Sequence, residues 1–569
     1  MASPKFPEPP PQLPPTPLAE VDKIIDKLHA KKDAWVEVGV GRRIQLLERC
    51  IQSTLDCAEA WVADACRAKG IPADSPQAGE EWLGGPVTTV RNMRLLIEAL
   101  RYGGVRPAPK MTTLSSGQVV AQVFPATALD KIMMGGISAE VWIEPGQEPS
   151  QGRIYREKNA GKTHAGKVSL VLGAGNVASI GPMDALYKLF AEDEVVLLKT
   201  NPVNAYLGPH FEAALRPLAD EGFFAVVHGG AEVGQHCVNH AKIETIHMTG
   251  SDRTHDAIVW GPTVEEQARR KASHEPRCTK PISSELGAVT PVLVVPGSWS
   301  EADLQFQARH VASMVANNAS FNCNAAKALV LAEGWHLKDR FIAAVKQALA
   351  NLPARKAYYP GAADRYKGFL ENYPSAEKLG EPSSDVVPWT VIPQVKAKKG
   401  EYALTNEAFC GVLAIVELEA SDARTFFNVA IPFANDTMWG SLSCMVLIDP
   451  ATEKQHKEQF EQALADLRYG GIGVNAWAGV IYGLVVTTWG AFPGHPAEDI
   501  QSGRGVVHNA YLFDHPQKSV LRAPFRMSPT PLWFADHKTQ AATSRALLAM
   551  EAYPGVARLP KLLVNALRG

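Results

Sequence analysis

The sequence predicts an α/β fold made of two doubly wound α/β domains and a small β arm for oligomerisation. From Lys167 onward, short apolar runs typical of buried strands alternate with helix-like segments, which predicts a parallel sheet covered by helices. A second alternating region runs from residue 285 to about residue 489. Residues 139–157 partly alternate polar with apolar side chains, and this pattern predicts a β-hairpin outside both sheets.

The composition is that of a folded chain of several domains. Its 569 residues are 46% hydrophobic and 20% charged, and the formal net charge is -2. This charge gives no electrostatic reason to expect nucleic acid or an acidic membrane surface as a partner. Apolar runs are shorter than the ~20 residues that a membrane helix needs. The N-terminus lacks an apolar signal region, so we expect neither a transmembrane segment nor a secretory signal.

The cysteines and histidines do not form a metal-binding or disulfide pattern. The eight cysteines are dispersed without a CxxC pair, and none of the 16 histidines falls in a paired Cys/His spacing. Dispersed cysteines in a large chain are typical of reduced thiols. We therefore expect a cytoplasmic protein without a bound metal.

The first 138 residues show no evident chemistry. Residues 1–19 are rich in proline, which predicts a disordered, extended tail, with a ligand for a proline-reading domain as the alternative. Between residues 20 and 100, apolar residues recur largely at helical spacing, with a break at Gly70-Ile71-Pro72. This region therefore predicts several amphipathic helices.

The predicted arm needs a surface on which to bury its apolar face. Its two expected strands are residues 139–144 and 152–157, separated by a turn that begins at Pro145-Gly146. An isolated two-stranded hairpin is marginally stable, and a second subunit would cover it. Residues 501–525, with a strand expected around 509–513, complete the arm. We therefore expect a homodimer or a dimer of dimers.

A candidate nucleotide site lies where the predicted parallel strands end. The strand that begins at Thr245 leads into Gly250-Ser251, which opens a predicted helix and suits a phosphate group. Gly173 and Gly175 follow an earlier strand, but Ala178 prevents a complete GxGxxG pattern. The alternative is a sheet whose glycines only form turns.

Cys323 is the strongest candidate for a nucleophile. It lies in the stretch Asn317–Lys327 between a helix-like segment and a predicted buried strand, with amide side chains around it. A cysteine thiolate is a strong nucleophile, and fixed amide donors stabilise the oxyanion that its attack creates. The alternative is a free cysteine that packs as a small buried hydrophobe.

Several separated motifs together resemble the NAD(P)-dependent aldehyde dehydrogenase superfamily from about residue 34 to about residue 525. Each motif is weak alone, but they occur in the order and at spacings similar to those of the family. They are Gly175-Asn176, Leu198-Lys199, His247-Met248-Thr249-Gly250-Ser251, Glu285-Leu286-Gly287, Phe321-Asn322-Cys323, Glu407-Ala408-Phe409, and Ala434-Asn435-Asp436-Thr437 with Gly440-Ser441-Leu442.

The resemblance implies a mechanism for the candidate residues. Cys323 would attack the aldehyde carbon to form a thiohemiacetal, whose oxyanion would be held by the Asn176 amide and the Cys323 backbone N–H. Hydride transfer to the nicotinamide would leave a thioester. Glu285 would then activate the water that releases a carboxylic acid.

The resemblance also implies a cofactor, NAD or NADP, and a set of residues that bind it. Each of these positions also has a structural interpretation. Asn176 suits a left-handed turn, Lys199 a solvated strand end and Ser251 a helix N-cap, while Glu285 and Glu407 suit surface carboxylates. The cofactor-binding set that we expect is Lys199, Gly229, Gly250, Ser251, Leu286, Glu407 and Phe409.

Some positions depart from the family pattern and indicate a divergent branch. Pro202 stands where many NAD-preferring relatives have a glutamate, which leaves NAD and NADP both open. His255 replaces a common glycine and could crowd the diphosphate. Ala288 and Val289 replace the glycine and lysine that commonly follow ELG, and Cys410-Gly411 replaces Gly-Pro. An inactive relative therefore stays among the alternatives.

Three functions remain open from the sequence. The first is oxidation of an aldehyde to a carboxylic acid with a water-activating Glu285. The second is a CoA-acylating aldehyde dehydrogenase or acyl-CoA reductase, although acylating relatives often lack that glutamate. The third is a non-catalytic scaffold of the same fold. The aldehyde itself is not named, but the aromatic side chains of Trp439, Trp477, Trp489 and Phe492 either line an apolar substrate tunnel or belong to the core.

The predicted domain boundaries follow from these assignments. Residues 20–138 and 158–284 form the NAD(P)-binding, Rossmann-like domain, and residues 285–500 form the catalytic domain. Residues 526–569 form a helical C-terminal extension that lengthens the interface, caps the substrate entrance or touches a membrane surface.

Overall fold

Two sheets of largely parallel strands organise the chain, and the longest apolar runs of the sequence form their central strands. The computed structural model describes residues 6–569. It has the α/β fold that the strand–helix alternation predicts. No helix within this range is long and apolar enough to cross a membrane.

The strands are short, as expected for a sheet that is covered on both faces. In chain order they are β1 (Lys110–Thr113), β2 (Val119–Phe124), β3 (Ser138–Ile143), β4 (Val168–Leu172), β5 (Val195–Lys199), β6 (Phe224–Val227), β7 (Thr245–Gly250), β8 (Ile282–Leu286), β9 (Pro291–Val294), β10 (Ala328–Ala332), β11 (Glu377–Lys378), β12 (Thr390–Val395), β13 (Val412–Leu418), β14 (Ser443–Leu447), β15 (Gly471–Val474), β16 (Trp489–Gly490), β17 (Gly503–Arg504), β18 (Val506–His508) and β19 (Pro516–Arg522).

The helices connect the strands and cover the sheets. They are α1 (Leu18–Glu37), α2 (Val40–Ala68), α3 (Ala78–Trp82), α4 (Thr88–Arg101), α5 (Ala128–Met133), α6 (Arg153–Asn159), α7 (Ile180–Phe190), α8 (Gly208–Ala214), α9 (Arg216–Asp220), α10 (Ala231–Asn239), α11 (Asp252–Val259), α12 (Val264–Ser273), α13 (Glu301–Ala316), α14 (Lys338–Ala350), α15 (Ala362–Asn372), α16 (Tyr402–Thr405), α17 (Ala423–Asp436), α18 (Pro450–Gln455), α19 (Lys457–Asp466), α20 (Gly479–Leu484), α21 (Gln540–Ala552) and α22 (Leu559–Leu567). A π-helical turn covers Leu83–Val87, and 3₁₀ turns cover Pro202–Leu207, Asn317–Ser320 and Val556–Arg558.

The smaller sheet has six strands in the order β17-β8-β7-β4-β5-β6. All its pairs are parallel except β17 with β8. The carboxyl ends of β4, β5 and β7 therefore meet at one edge, where a nucleotide-binding crevice is expected.

The larger sheet has eleven strands in the order β1-β2-β3-β19-β15-β14-β9-β10-β13-β12-β11. Its central strands, from β15 to β12, pair in parallel and are buried almost throughout. Strand β10 follows directly on the Cys323 stretch, so the centre of this sheet fixes the position of the candidate nucleophile.

The expected β-hairpin at 139–157 is wrong. Only its first half is a strand, β3, because Gly152 adopts a left-handed conformation (φ 63°) and starts helix α6. Strand β3 lies between β2 and β19, both antiparallel to it, and β19 pairs in parallel with β15. The arm strands therefore extend the large sheet of their own chain and bury their apolar faces without a second subunit. The predicted homodimer or dimer of dimers stays a prediction.

Other expectations near the ends of the chain need correction. Residues 509–513 form a turn instead of a strand, since the Asn509 side chain accepts from the Phe513 backbone N–H and donates to its carbonyl. The C-terminal extension contains two helices, α21 and α22, with a break between them. The predicted tail lies partly outside the described residues, since the structure describes it only from residue 6. Within the described part, the Thr16 N–H donates to the carbonyl of His228, which fastens the segment to the small sheet.

Replacing Val330 by alanine should destabilise the protein strongly. Val330 is 0% exposed at the centre of β10, so the loss of two buried methyl groups leaves a cavity. We expect a cost of about 2 kcal/mol, seen as a lower Tm in thermal unfolding. Val264→Ala is the matched control, because Val264 is 76% exposed. Equal Tm shifts for the two variants would contradict this assignment of the core.

Candidate active site

A cavity of about 760 Å³ connects the strand ends of the small sheet with Cys323. Its lining brings together most of the predicted site residues, which are separated by up to more than 200 positions in the chain. Those that line it are Asn176, Lys199, Gly250, Ser251, Glu285, Cys323, Glu407 and Phe409. Gly229 and Leu286 are not part of the lining. Gly230 takes the position expected for Gly229, and Leu286 packs in a small apolar cluster with Met248 and Ile500.

The loop before Cys323 has an unusual backbone. Three consecutive residues, Asn318, Ala319 and Ser320, have positive φ angles of 53°, 55° and 69°. Such conformations are costly for residues other than glycine and need support from the surroundings. Here Lys327 supplies part of that support, since its buried ammonium donates to the carbonyls of Asn322 (2.9 Å), Cys323 (3.3 Å) and Ala325 (3.3 Å).

Cys323 and Glu285 are direct partners. The Cys323 thiol donates to Glu285 Oε1 at 3.4 Å, and the indole N–H of Trp489 donates to the same oxygen at 3.0 Å. Glu285 lies near the end of β8, and Trp489 lies in β16. Three segments that are distant in sequence therefore meet at one carboxyl group. A buried indole N–H usually has such a partner.

Burial controls the protonation of this pair. It raises the pKa of the Glu285 carboxyl to about 8, and the hydrogen bond from Trp489 opposes part of that rise. Burial also raises the pKa of the Cys323 thiol well above its ordinary value, and the charges of Glu285 and Glu407 add to the effect. At pH 7 the pair is therefore a neutral thiol beside a neutral carboxyl group.

Asn176 is tied to the cysteine loop in both directions. Its side-chain amide donates to the Phe321 carbonyl at 3.0 Å, while the Asn318 amide donates to the Asn176 backbone carbonyl at 3.0 Å. An amide nitrogen carries two hydrogens, so one donor is used in this link and the other remains for a ligand. Asn176 therefore lies beside the nucleophile with its amide orientation fixed.

A buried ion-pair network lies behind Asn176. The Lys69 ammonium donates to the Asn176 backbone carbonyl at 2.8 Å and to Glu81 at 2.8 Å. The Tyr358 hydroxyl is a third donor to that carbonyl, at 3.2 Å. Next to this pair, Arg355 bonds Glu80 at 2.8 Å. Charges that are buried in this way are stable only when they are paired and hydrogen-bonded, and this network is.

The far end of the cavity has the features of a nucleotide site. Ser251 accepts from the Thr254 N–H at 3.2 Å and caps helix α11, so it acts as an N-cap and also lines the cavity. Lys199 is largely buried, and burial lowers the pKa of its amine. The predicted crowding by His255 does not occur, because its side chain is buried and is not part of the lining.

The fold around this cavity is shared with many solved structures. The aldehyde dehydrogenase KauB from Pseudomonas aeruginosa is 16% identical, with a TM-score of 0.62 over 90% of this chain and 91% of that chain. A Mycobacterium tuberculosis aldehyde dehydrogenase complexed with NAD+ is 17% identical (TM-score 0.58, 91% and 92%). An NADP-dependent glyceraldehyde-3-phosphate dehydrogenase from Bacillus halodurans, complexed with NADP, is also 17% identical (TM-score 0.59, 90% and 92%). A search of curated proteins finds no match.

A protein-family model also matches part of this chain. The model of the aldehyde dehydrogenase family matches residues 195–364, a segment that contains Lys199, Ser251, Glu285 and Cys323. This segment of the chain is therefore similar to the aldehyde dehydrogenase family. The resemblance predicted from the separated motifs is thereby confirmed, and so is the α/β fold with two sheets.

Glu407 also belongs to this candidate site. Its carboxylate forms an ion pair with Lys327 at 3.2 Å, so the lysine that supports the cysteine loop also holds Glu407. Gly287 is required beside it, since a Cβ at that position would lie 1.9 Å from Glu407 Oε2. Burial raises the pKa of the Glu407 carboxyl, and the nearby Lys327 charge opposes the rise. Cys410 is buried and does not line the cavity, which fits a packing role.

The contacts of three residues at this site were not predicted from the sequence, although Trp489 was named there as a tunnel or core residue. Lys327 has a local signal, since a lysine directly before a fully apolar strand must find buried partners. Lys69 and Trp489 have none. Lys69 lies 107 residues before its partner Asn176, and Trp489 lies 204 residues after Glu285. Only the folded chain brings these pairs together.

Removing the Lys69–Glu81 pair should slow turnover. In Lys69→Met/Glu81→Gln the Asn176 carbonyl loses its shortest donor, so the amide is held less firmly. Loss of an oxyanion donor costs about 10²–10³ in kcat, and we expect at least tenfold for a displaced one, with a smaller change in KM. Lys188→Met/Glu192→Gln is the control, because it removes a lysine–glutamate pair on the far side of α7. A purely structural role would lower Tm in both variants and leave kcat intact in both.

Proposed function

We propose that this protein oxidises an aldehyde to a carboxylic acid with NAD or NADP, by way of a covalent intermediate on Cys323. The observation that carries the proposal is the contact between the Cys323 thiol and the Glu285 carboxyl, at 3.4 Å, inside a cavity that reaches the nucleotide-binding edge of the small sheet. This arrangement pairs a nucleophile with a base and places both beside a cofactor site.

The residues of the site fit a nicotinamide dinucleotide. Glu407 lines the cavity, and its carboxylate keeps lone pairs that can accept from a ribose hydroxyl beside the Lys327 ion pair. Ser251 and the start of α11 suit the diphosphate, and Lys199 suits the adenosine ribose. When bound, the nicotinamide accepts the hydride that leaves the thiohemiacetal carbon, so that a thioester remains on Cys323.

The surroundings of Lys199 are compatible with NAD and NADP. The cavity lining includes the uncharged polar residues Asn201, Gln235 and Asn239 and the charged residues Asp252, Arg253 and Arg277. Pro202 stands where a carboxylate that would repel a 2′-phosphate is common. Relatives with the same fold include complexes with either cofactor.

The chain's own groups support each proton transfer. Glu285, once ionised, can take the proton of the Cys323 thiol and thereby create the nucleophile. The Asn176 amide and the Cys323 backbone N–H then stabilise the oxyanion on the former carbonyl oxygen, each worth about 3–4 kcal/mol. After the thioester has formed, Glu285 releases the thiol proton to solvent. In the second half of the reaction, the ionised Glu285 takes a proton from the water that attacks the thioester carbon, and it returns this proton to the departing Cys323 sulfur as the acid leaves.

A cytoplasmic location and a homodimeric assembly remain part of the proposal. All eight cysteines are free in the structure, as is usual in a reducing compartment. The arm gives no argument for a dimer, because its strands pair with other strands of the same chain. The molar mass in solution, measured by light scattering, decides between a monomer, a homodimer and a dimer of dimers.

The purified protein should form reduced cofactor when it is mixed with an aldehyde and NAD or NADP, without CoA. Reduction should be lost in Cys323→Ala, because no thioester can form. Absorbance at the wavelength of reduced nicotinamide measures it, and Cys444→Ala is the control, since Cys444 is buried in β14 away from the cavity. Activity only with CoA would favour the acylating alternative, and cofactor reduction that persists in Cys323→Ala would exclude Cys323 as the nucleophile.

Turnover should increase as the pH rises through about 8, because Glu285 acts as a base only after it loses its proton. Trp489→Phe should move this rise to higher pH, since it removes a hydrogen bond that lowers the pKa of Glu285. Glu285→Gln should lose the rise and lower kcat across the whole pH range, because thiol activation and thioester hydrolysis both lose their base. A flat kcat profile between pH 6.5 and 9.5 in the unmodified enzyme would contradict the role of Glu285.

A further inference from the structure

The segment that precedes the first helix lies against the nucleotide-binding edge of the small sheet. The backbone N–H of Thr16 donates to the carbonyl of His228 at 2.9 Å, and the backbone N–H of His228 donates to the Thr16 hydroxyl at 2.9 Å. His228 directly follows β6 and therefore stands at the carboxyl end of that strand. These two reciprocal bonds attach the start of the chain to the edge at which a nucleotide is expected.

Pro15 packs against the turn that follows His228. Gly229 in this turn has a φ of 142°, and a Cβ at its position would lie 2.5 Å from Val233 Cγ2 and 3.3 Å from Pro15 Cβ. The turn therefore fits between the N-terminal segment and α10 only as glycine. The next residue, Gly230, is the N-cap of α10 and lines the nucleotide cavity. The N-terminal segment thus packs on a turn that leads directly into the cavity wall.

The side chain of His228 connects this turn with the strand that carries Lys199. Its Nδ1 lies 3.0 Å from the Thr200 hydroxyl oxygen, and Thr200 follows Lys199 at the end of β5. The ring can lie there because residue 208 is glycine, since a Cβ at that position would be 2.0 Å from His228 Cε1. Burial lowers the pKa of the His228 ring, and the nearby charge of Lys199 adds to the effect. The ring is therefore a neutral link between the end of β5 and the turn before α10.

Helix α1, which begins two residues after Thr16, also binds α10 and the residues that follow it. Asp22 Oδ1 and His236 Nε2 are 2.6 Å apart, and the Lys242 ammonium donates to Asp26 at 2.7 Å. Other residues of α10 line the nucleotide cavity, namely Gly234, Gln235, Val238 and Asn239. The start of the chain therefore holds one side of a helix that contributes its other residues to the cavity lining.

We propose that Thr16 and His228 are positioning residues for the adenosine half of the nucleotide site, and that they hold the turn 228–230 and α10 in the shape that binds it. This inference rests on the proposed use of NAD or NADP. A wall that is ordered before the ligand arrives does not have to be ordered by it, so less of the binding free energy is lost. Because this end of the cavity is far from Cys323, the two residues should act on cofactor affinity and leave the chemical steps unchanged.

The first test measures the Kd for ADP with the full-length protein by isothermal titration calorimetry. ADP lacks the nicotinamide, so its binding can be followed without catalysis. In Thr16→Val the side chain keeps its shape but cannot accept the His228 N–H, which loses its partner and releases the turn. We expect the Kd for ADP to increase at least fivefold in Thr16→Val and to change less than twofold in Thr16→Ser, which keeps the hydroxyl group.

Thr127→Val is the matched control, because the Thr127 hydroxyl also accepts a backbone N–H, that of Asp130, and Thr127 does not line the nucleotide cavity. It should bind ADP like the unmodified protein. Equal Kd values for ADP in the unmodified protein, Thr16→Val and Thr127→Val would overturn the inference and leave the proposed aldehyde oxidation standing. A loss of affinity in Thr16→Ser as large as in Thr16→Val would also overturn it.

Steady-state kinetics separate positioning from a general loss of structure. In Thr16→Val the KM for the cofactor should rise at least fivefold, whereas kcat at saturating cofactor and the KM for the aldehyde should change less than twofold. A fall in kcat with an unchanged KM for the cofactor would contradict the inference. The expected pattern of ADP binding without any aldehyde oxidation would support the inference and contradict the proposed function. An unmodified protein that binds no ADP would overturn the inference together with the proposed cofactor.

Discussion

The reciprocal hydrogen bonds between Asn176 and the cysteine loop fix the position of the small sheet relative to the large sheet. Asn176 follows a strand of the small sheet, and the loop precedes a strand of the large one. The amide of each side bonds a backbone carbonyl of the other, at 3.0 Å in both cases. Because the proposed nucleotide site belongs to one sheet and the Cys323 thiol to the other, a shift between the sheets would separate that site from the thiol. Displacements of about 1 Å are enough to cost a hundredfold in rate.

The groups that maintain this alignment include buried ammonium groups, although burial disfavours their charged form. Lys327 donates to three carbonyls just after the residues with positive φ angles and also pairs with Glu407. Lys69 likewise donates to the Asn176 carbonyl and forms an ion pair with Glu81. The protein thus uses buried ammonium groups as fixed donors, and each carries its own counter-ion. Among the described residues, Glu285 has no ion-pair partner, and its donors are the Trp489 indole and the Cys323 thiol. Its proton affinity is therefore high enough for it to exchange protons near neutral pH.

Part of this arrangement could be predicted from the sequence, and the rest depends on contacts that leave no local pattern. Strands such as β4, β5 and β10 are continuous apolar runs, and motifs identified the cavity residues Asn176, Cys323 and Glu285. Periodicity does not say which strands pair, so β3 was placed in a separate arm. It also does not reveal that Gly152 would turn the following segment into a helix. The predicted boundary before residue 285 divides β8, because this strand belongs to the small sheet and also carries Glu285, the proposed base.

The pairing of β3 with β19 has a consequence for how the chain is made. Ser138 lies opposite Arg522 in the pair of β3 with β19. Strand β3 is therefore synthesised long before its partner, which is made near the end of translation. Until then the edges of β3 and β15 have unsatisfied backbone groups, which are templates for pairing with other chains. The nascent protein is thus exposed to aggregation for most of its translation. The large sheet can be completed only when almost the whole chain has been made. Slow elongation or binding of a chaperone would therefore favour correct folding.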